Sequence, residues 1–373
     1  MTDTLQVQGE FAPAESSFAA ETLAAAVVAD AAADAVTAEP NGFIELGLAP
    51  ELVQAVADLG YTQPTSVQLK AIPLAMGSGN DSTSFIDLMV SSQTGSGKTA
   101  AFLLPVLHTL IQQQAAAEAE ERAAFERAVA EAAARGEPAP KRAKRKDPTN
   151  SRNFKAATPG ALILCPTREL AQQVAHDAID LVKHCRGLRV ANVVGGMPYQ
   201  LQIAKLQNAN LVVATPGRLL DLQRSMQIKL DKVQFLVVDE ADRMLDLGFS
   251  DDLAELNQLT AQRKQTMMFS ATFAPRIQQL AMRVMHDGGA SVQKVTIDSP
   301  QEKHANIKQM LYWADNAQHK RKLLDHWLRD TSINQAIVFA STQVECDGLA
   351  NDLQQEGFSA VALHGALSQG LRN

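Results

Sequence analysis

A chain of 373 residues, 46% hydrophobic and 20% charged, is long enough for two packed cores and is not the composition of a wholly disordered protein. Cys165, Cys185 and Cys346 are widely spaced, which excludes a disulfide framework or a zinc-ligand pattern and makes a reducing compartment the expectation. No apolar run nears the ~20 residues of a membrane span, and Met1 is not followed by a secretory pattern, so a cytoplasmic protein with no membrane partner is expected.

The formal charge of −7 is local. Asp3, Glu10, Glu15, Glu21, Asp30, Asp34 and Glu39 lie in Met1–Pro40, which has no lysine or arginine, so the rest of the chain is balanced. Global charge therefore decides nothing about a nucleic-acid partner. The same segment is Ala-rich and poor in large side chains, which predicts a disordered acidic tail over 1–40. Order is predicted from Phe43. A helix carries Leu48, Leu52, Val53, Val56 and Leu59, and the turn Gly60–Gln68 enters a second helix.

Short apolar runs then alternate with helical segments: Leu88–Val90, Ala161–Cys165, Val190–Val194, Leu211–Ala214, Phe235–Val238 and Thr266–Phe269. Runs too continuous for half-exposed strands, interleaved with helices, predict an α/β fold with a doubly wound parallel sheet. The loop Gly77–Ser82 and an insertion from about Gln112 to Ala157 each lead from a helix into a strand, at the sheet's other edge. The insertion holds a predicted helix, Ala115–Arg135, and the basic run Lys141–Lys146. That run reads either as a solvated arm or as a salt-sensitive tether for RNA. Beyond Asp298–Gln301, strands are predicted at Ile307–Trp313, Ala336–Phe339 and Ala360–Leu363, with helices at Asn316–Arg329 and Val344–Glu356. About 70 residues are too few to cover both faces of a sheet, so this unit is expected to be mobile with an unpaired edge.

Polar clusters follow each of the six runs, on the carboxyl edge where open α/β sheets bind ligands. The first is Gln93-Thr94-Gly95-Ser96-Gly97-Lys98-Thr99, between a predicted strand and a predicted helix, Ala100–Leu110. Its backbone N–H groups and the helix N-terminus would cradle phosphates, Lys98 would reach the β- and γ-phosphates, and Thr99 would ligate Mg²⁺. The first glycine of the common pattern is replaced by Ser92. After the fifth run come Asp239 and Glu240. Asp239 is positioned to hold Mg²⁺, through water, opposite Thr99, and Glu240 to orient or deprotonate the attacking water.

With that pair the chain resembles the DEAD-box ATP-dependent RNA helicases, bacterial type, from roughly Phe43 to Asn373. Asp239-Glu240-Ala241-Asp242 spells the family's name. Gly60…Pro64-Thr65…Gln68, Pro166-Thr167-Arg168-Glu169-Leu170-Ala171, Gly195-Gly196, Thr215-Pro216-Gly217-Arg218 and Ser270-Ala271-Thr272 match further motifs in order. The resemblance implies a RecA-like ATP-binding domain over 41–298, a linker over 299–306 and an incomplete second RecA-like domain over 307–373. It implies ATP as substrate with Mg²⁺, adenine read by Gln68 with Phe43 and Tyr61 in apolar contact, and hydrolysis carried by Lys98, Asp239 and Glu240. RNA is implied as the partner, gripped through its backbone without sequence preference by Pro166, Thr167, Arg168, Gly195, Gly196, Thr215, Gly217, Arg218, Gln369 and Arg372. For Thr167 and Thr215 helix capping is the alternative, compatible with phosphate binding. Asp242, Ser270 and Thr272 would couple ATP state to strand separation, through hydroxyl bonds to the Asp242 carboxylate. Leu363-His364-Gly365 also fits, although Ala366 stands where an acidic residue is common. The family's Arg-Gly-x-Asp and His-Arg-x-Gly-Arg-x-x-Arg segments would lie beyond Asn373, so a fragment or a truncated product is expected. The implied function is RNA-stimulated ATP hydrolysis coupled to local duplex unwinding, and the alternative is a catalytically impaired module that binds ATP and RNA.

Overall fold

The structure, a computed structural model, describes residues 41–77, 85–92, 95–138, 155–297, 308 and 310–372. The acidic N-terminal segment, most of the 77–82 loop, Gln93, Thr94, the basic run 141–146 and the segment 298–307 lie outside the described residues. The elements in chain order are α1 (Pro50–Asp58), α2 (Ser66–Met76), β1 (Leu88–Ser91), α3 (Lys98–Ala134), β2 (Ala161–Leu164), α4 (Arg168–Leu181), β3 (Val190–Val193), α5 (Tyr199–Leu206), β4 (Leu211–Ala214) and α6 (Pro216–Arg224). They continue with β5 (Phe235–Val238), α7 (Ala241–Asp246), α8 (Ser250–Leu259), β6 (Gln265–Ser270), α9 (Pro275–Val284), β7 (Gln293–Thr296), α10 (Ala317–Leu328), α11 (Gln343–Gln355) and α12 (Gln369–Arg372).

Among the described residues, all seven strands join one sheet in the order β3-β4-β2-β5-β6-β1-β7, and every ladder is parallel. Strand side chains alternate between two cores, as a period of two requires. Leu88, Val90, Ile163, Val213, Val237 and Phe269 face one helix layer, while Met89, Leu162, Leu164, Val212, Leu236 and Met268 face the other. Both faces are thus covered, which is why the runs read as unbroken hydrophobic stretches.

The amino-terminal edge of the sheet is fastened by a carboxylate immediately before the first of those runs. Asp87, 3% exposed, accepts from the Thr266 N–H at 2.7 Å, the His286 N–H at 2.8 Å and His286 Nδ1 at 2.9 Å. Arg263 is buried beside it and donates to the carbonyls of Thr260 and Val284, so burial draws its pKa down while Asp87 opposes the shift. The cluster ties β1, β6 and the segment after α9 together at the edge remote from the predicted ligand residues.

Three expectations are corrected. The predicted helices at Ala100–Leu110 and Ala115–Arg135 are one helix, α3, of 37 residues. No capping residue or glycine interrupts Ile111–Ala116, and alanine and glutamine there propagate a helix. An unpredicted seventh strand, β7, pairs with β1. It is an edge strand with Val295 alone buried, so it lacks an apolar run. Of the residues predicted as strands here, 308, 310–313, 336–339 and 360–363 are described, and they form no strand. Leu311, Trp313, Ile337, Phe339 and Val361 are instead at least 79% exposed. A strand is not stable alone; it needs ladder partners and cover. The helices expected in this region do form, as α10 and α11.

Candidate nucleotide and nucleic-acid site

The strand order divides the carboxyl edge into two halves. Loops after β1, β5 and β6 are neighbours, as are loops after β2, β3 and β4. The residues expected to handle the nucleotide fall on the first half, and those expected to grip the nucleic acid fall on the second.

On the first half, a cleft of about 550 Å³ is lined by Phe43, Tyr61, Gln68, Gly95, Gly97, Lys98, Thr99 and Glu240, with Gln173 and Asp177 of α4 opposite. Phe43 is buried, whereas Tyr61 is exposed. Lys98 opens α3, and Gly97 before it is left-handed at φ +86°. A Cβ at Gly97 would also meet Gln68 Nε2 at 2.6 Å and Thr65 Oγ1 at 3.0 Å, so only glycine fits. Gln68 is committed to the protein on both sides of its amide. Its Oε1 accepts from the Thr65 N–H at 2.9 Å, completing a capping box on α2, and its Nε2 donates to the Gly97 carbonyl at 3.0 Å.

Lys98 reaches across β6 to the acidic pair. Its Nζ lies 3.3 Å from Asp239 Oδ1 and 3.5 Å from Glu240 Oε1. Asp239 is fully buried, and burial pushes its pKa up to about 6 against the pull of Lys98. Its Oδ1 also accepts from the Glu240 N–H at 2.9 Å, while Oδ2 has no hydrogen-bond partner among the described residues. Glu240 sits at φ +49°, ψ +54°, a left-handed conformation that costs a non-glycine residue ~1–3 kcal/mol and tends to mark functional sites. The expected bond from Ser270 to Asp242 is not formed. Ser270 Oγ is buried without a partner among the described residues, because Ser270 is still the last residue of β6, and Thr272 is exposed.

On the second half, a cleft of about 440 Å³ brings together Pro166, Thr167, Arg168, Gly195, Gly196, Thr215, Gly217, Arg218 and Arg372. Gln369 begins α12, and its side chain lies outside the described residues. Thr167 caps α4, accepting from the Leu170 N–H at 3.3 Å, whereas the Thr215 hydroxyl makes no cap bond to α6. The Arg168 guanidinium lies over the glycine pair. Gly196 is at φ +78°, and a Cβ there would intrude on Arg168 Nη1. Arg218 donates to the Met197 carbonyl at 3.2 Å and stacks 5.7 Å from the Tyr199 ring centroid. The sequence motifs assign no role to Glu169, yet it pairs with Arg372 at 2.9 Å. Sequence reasoning also misses Gln173 and Asp177. Their spacing of four on a helix that packs on the sheet is the available signal.

The sequence model of the DEAD/DEAH box helicase family matches residues 65–280. The chain belongs to this family. Among curated relatives it is 35% identical to the ATP-dependent RNA helicase SrmB of Escherichia coli, over 89% of this chain and 64% of that protein. It is 35% identical to the RNA helicase CrhR of Synechocystis, over 88% of this chain and 56% of that protein. The chain thus spans less than two thirds of the length of these relatives. Among solved structures, S. cerevisiae Dbp5 bound to RNA and ADP BeF3 superposes with a TM-score of 0.67 at 27% identity, covering 89% of this chain and 71% of that one. A DEAD box protein from Methanococcus jannaschii gives 0.51 at 30% identity, covering 89% and 75%. No described helix is long and apolar enough to cross a membrane.

Proposed function

We propose that this DEAD-box chain is the catalytic part of an ATP-dependent RNA helicase, in which ATP hydrolysis at one half of the sheet edge is coupled to RNA gripped at the other. The observation that carries the proposal is Lys98 held between Asp239 and Glu240 on the edge that also bears Arg168, Gly196 and Arg218. Lys98 here offsets one of the two negative charges of the acidic pair. ATP phosphates would draw the ammonium toward the helix N-terminus and free Glu240 to orient water. Adenine binding by Gln68 would exchange its bond to the Gly97 carbonyl, linking base recognition to the phosphate loop.

The residues fit Mg²⁺. Asp239 Oδ2 is an orphaned buried anionic oxygen, and no group of three or more acidic, imidazole or thiol ligands exists among the described residues. One carboxylate plus a hydroxyl suits an ion that keeps its waters and binds nucleotide phosphates. Asp239 and Thr99 would hold it, and when bound it would neutralise charge on the β- and γ-phosphates. RNA phosphates would meet Arg168, Arg218, the Thr215 hydroxyl and the N-termini of α4 and α6, contacts that set register without reading sequence.

The test is phosphate release with single-stranded RNA, with DNA of the same sequence, and with neither. Stimulation by RNA over DNA supports the proposal. Equal stimulation by both would contradict the RNA assignment, and binding of both ligands without turnover would identify a non-hydrolysing module.

A further inference from the structure

Behind the glycine pair lies a side chain that no part of the phosphate-gripping set includes. Gln202, in the second turn of α5, is 0% exposed. Its Nε2 donates to the Val194 carbonyl at 2.8 Å and to the Met197 carbonyl at 3.2 Å, so the two bonds span Gly195-Gly196 from one end to the other. Its Oε1 has no hydrogen-bond partner among the described residues. A buried amide is costly unless its polar atoms are used, so the reason for an amide here lies in its two N–H groups.

The Met197 carbonyl is shared. Arg218 Nη1 also donates to it, at 3.2 Å. Arg218 is also near Asp221, at 4.0 Å, and over the Tyr199 ring, whose hydroxyl bonds to Ser225. Of these contacts, the Met197 bond alone connects the guanidinium to the glycine loop. The loop in turn carries Arg168 across its face. Two glycines in sequence have the widest conformational freedom of any pair, so something must hold them for the arginines to keep one geometry.

We propose that Gln202 is a positioning residue for the RNA-phosphate cleft. Its amide pins both ends of the Gly195-Gly196 loop and, through the Met197 carbonyl, sets the direction of Arg218. The inference rests on the RNA-binding reading of that cleft. Gln202 does not touch RNA; it acts through Met197, Arg218 and the loop under Arg168.

Gln202→Met keeps the length and removes both donors. The readouts are binding of a labelled single-stranded oligoribonucleotide over a salt series, binding of a fluorescent ATP analogue, and thermal melting. The expected result is ~10-fold weaker RNA binding with a salt slope shallower by about 0.7, one phosphate contact on a single strand, and unchanged nucleotide affinity. Arg218→Gln and the double variant complete a cycle, in which the losses are less than additive because both act on one contact. Unchanged RNA affinity and slope in Gln202→Met, or additive losses, overturns the inference. Wild-type protein that binds no RNA overturns the functional reading itself, a distinguishable outcome. If Gln202→Met does not fold, Gln202→Glu serves instead. That carboxyl keeps one donor only while protonated, so RNA affinity relative to wild type rises as the pH is lowered; a constant ratio overturns the inference.

Discussion

Gly196→Ala separates backbone strain from disruption of the phosphate cleft. Alanine at φ +78° costs ~1–2 kcal/mol in the left-handed region, offset in part by the stiffer unfolded chain. For a domain of this size that lowers the melting temperature by about 2–5 °C. The new methyl also intrudes on Arg168 Nη1. Because that atom ends a flexible side chain, the guanidinium swings away at little cost to stability, and the functional loss exceeds the structural one. Losing one charge-assisted phosphate contact weakens RNA binding by about tenfold or more and reduces the salt slope by about 0.7. Gly47→Ala is the control, since Gly47 has φ +70°, a methyl there would meet nothing within 4 Å, and the residue lies outside the cleft. Both variants should melt lower by similar amounts. Gly196→Ala alone should lose RNA affinity, measured by fluorescence anisotropy against salt. If both bind RNA with the wild-type slope, the glycine pair does not govern Arg168, and the reasoning fails.

Three further outcomes follow from the geometry. Asp87→Ala leaves His286 and the Thr266 N–H without their buried acceptor and Arg263 without a neighbouring opposite charge, and should cost about 3–5 kcal/mol in urea unfolding; a loss below ~1 kcal/mol would show that the cluster is dispensable. Gln68→Ala removes the capping box on α2 and the bond to Gly97, so it should cost ~1 kcal/mol in stability and let GTP compete with ATP; undiminished rejection of GTP would contradict adenine reading by this amide. Asp239 has a folded pKa of about 6 against an ordinary 3.8, so the stability it contributes is present below the ordinary value and is lost as pH rises through the folded one. Asp239→Asn, measured without nucleotide, should therefore gain on wild type progressively between pH 3.8 and about 6 and level off above that, by at most ~3 kcal/mol, and a gap that does not change across this window would refute burial as the cause.

Five of the six predicted strands are legible because burial on both faces leaves apolar runs, as at Leu162-Ile163-Leu164, while β3, an edge strand of alternating burial, is legible through its valines and alanine. β7 is not, because an edge strand with Val295 alone buried carries no such run. The residues around Trp313, Phe339 and Val361 have strand character, yet pairing depends on partners that no local pattern encodes. At the site, the glycine and acidic motifs are legible because phosphate and metal chemistry restrict the residue types. Gln202 is illegible, since one glutamine in a helix has no spacing signature, and Gln68 holds a second role that only the Gly97 contact reveals. Asp87 is hidden because it stands between Ile86 and the apolar run that begins at Leu88.

The central claim is that RNA-coupled ATP hydrolysis depends on Glu240, in its left-handed position beside Lys98. The most direct measurement is RNA-stimulated phosphate release by wild type and Glu240→Gln, with ATP and RNA binding followed in parallel. The expected result is that the variant binds both ligands and turns over at least ~100-fold more slowly, as loss of a general base or water-positioning group requires. RNA-stimulated turnover that survives the substitution would contradict the account.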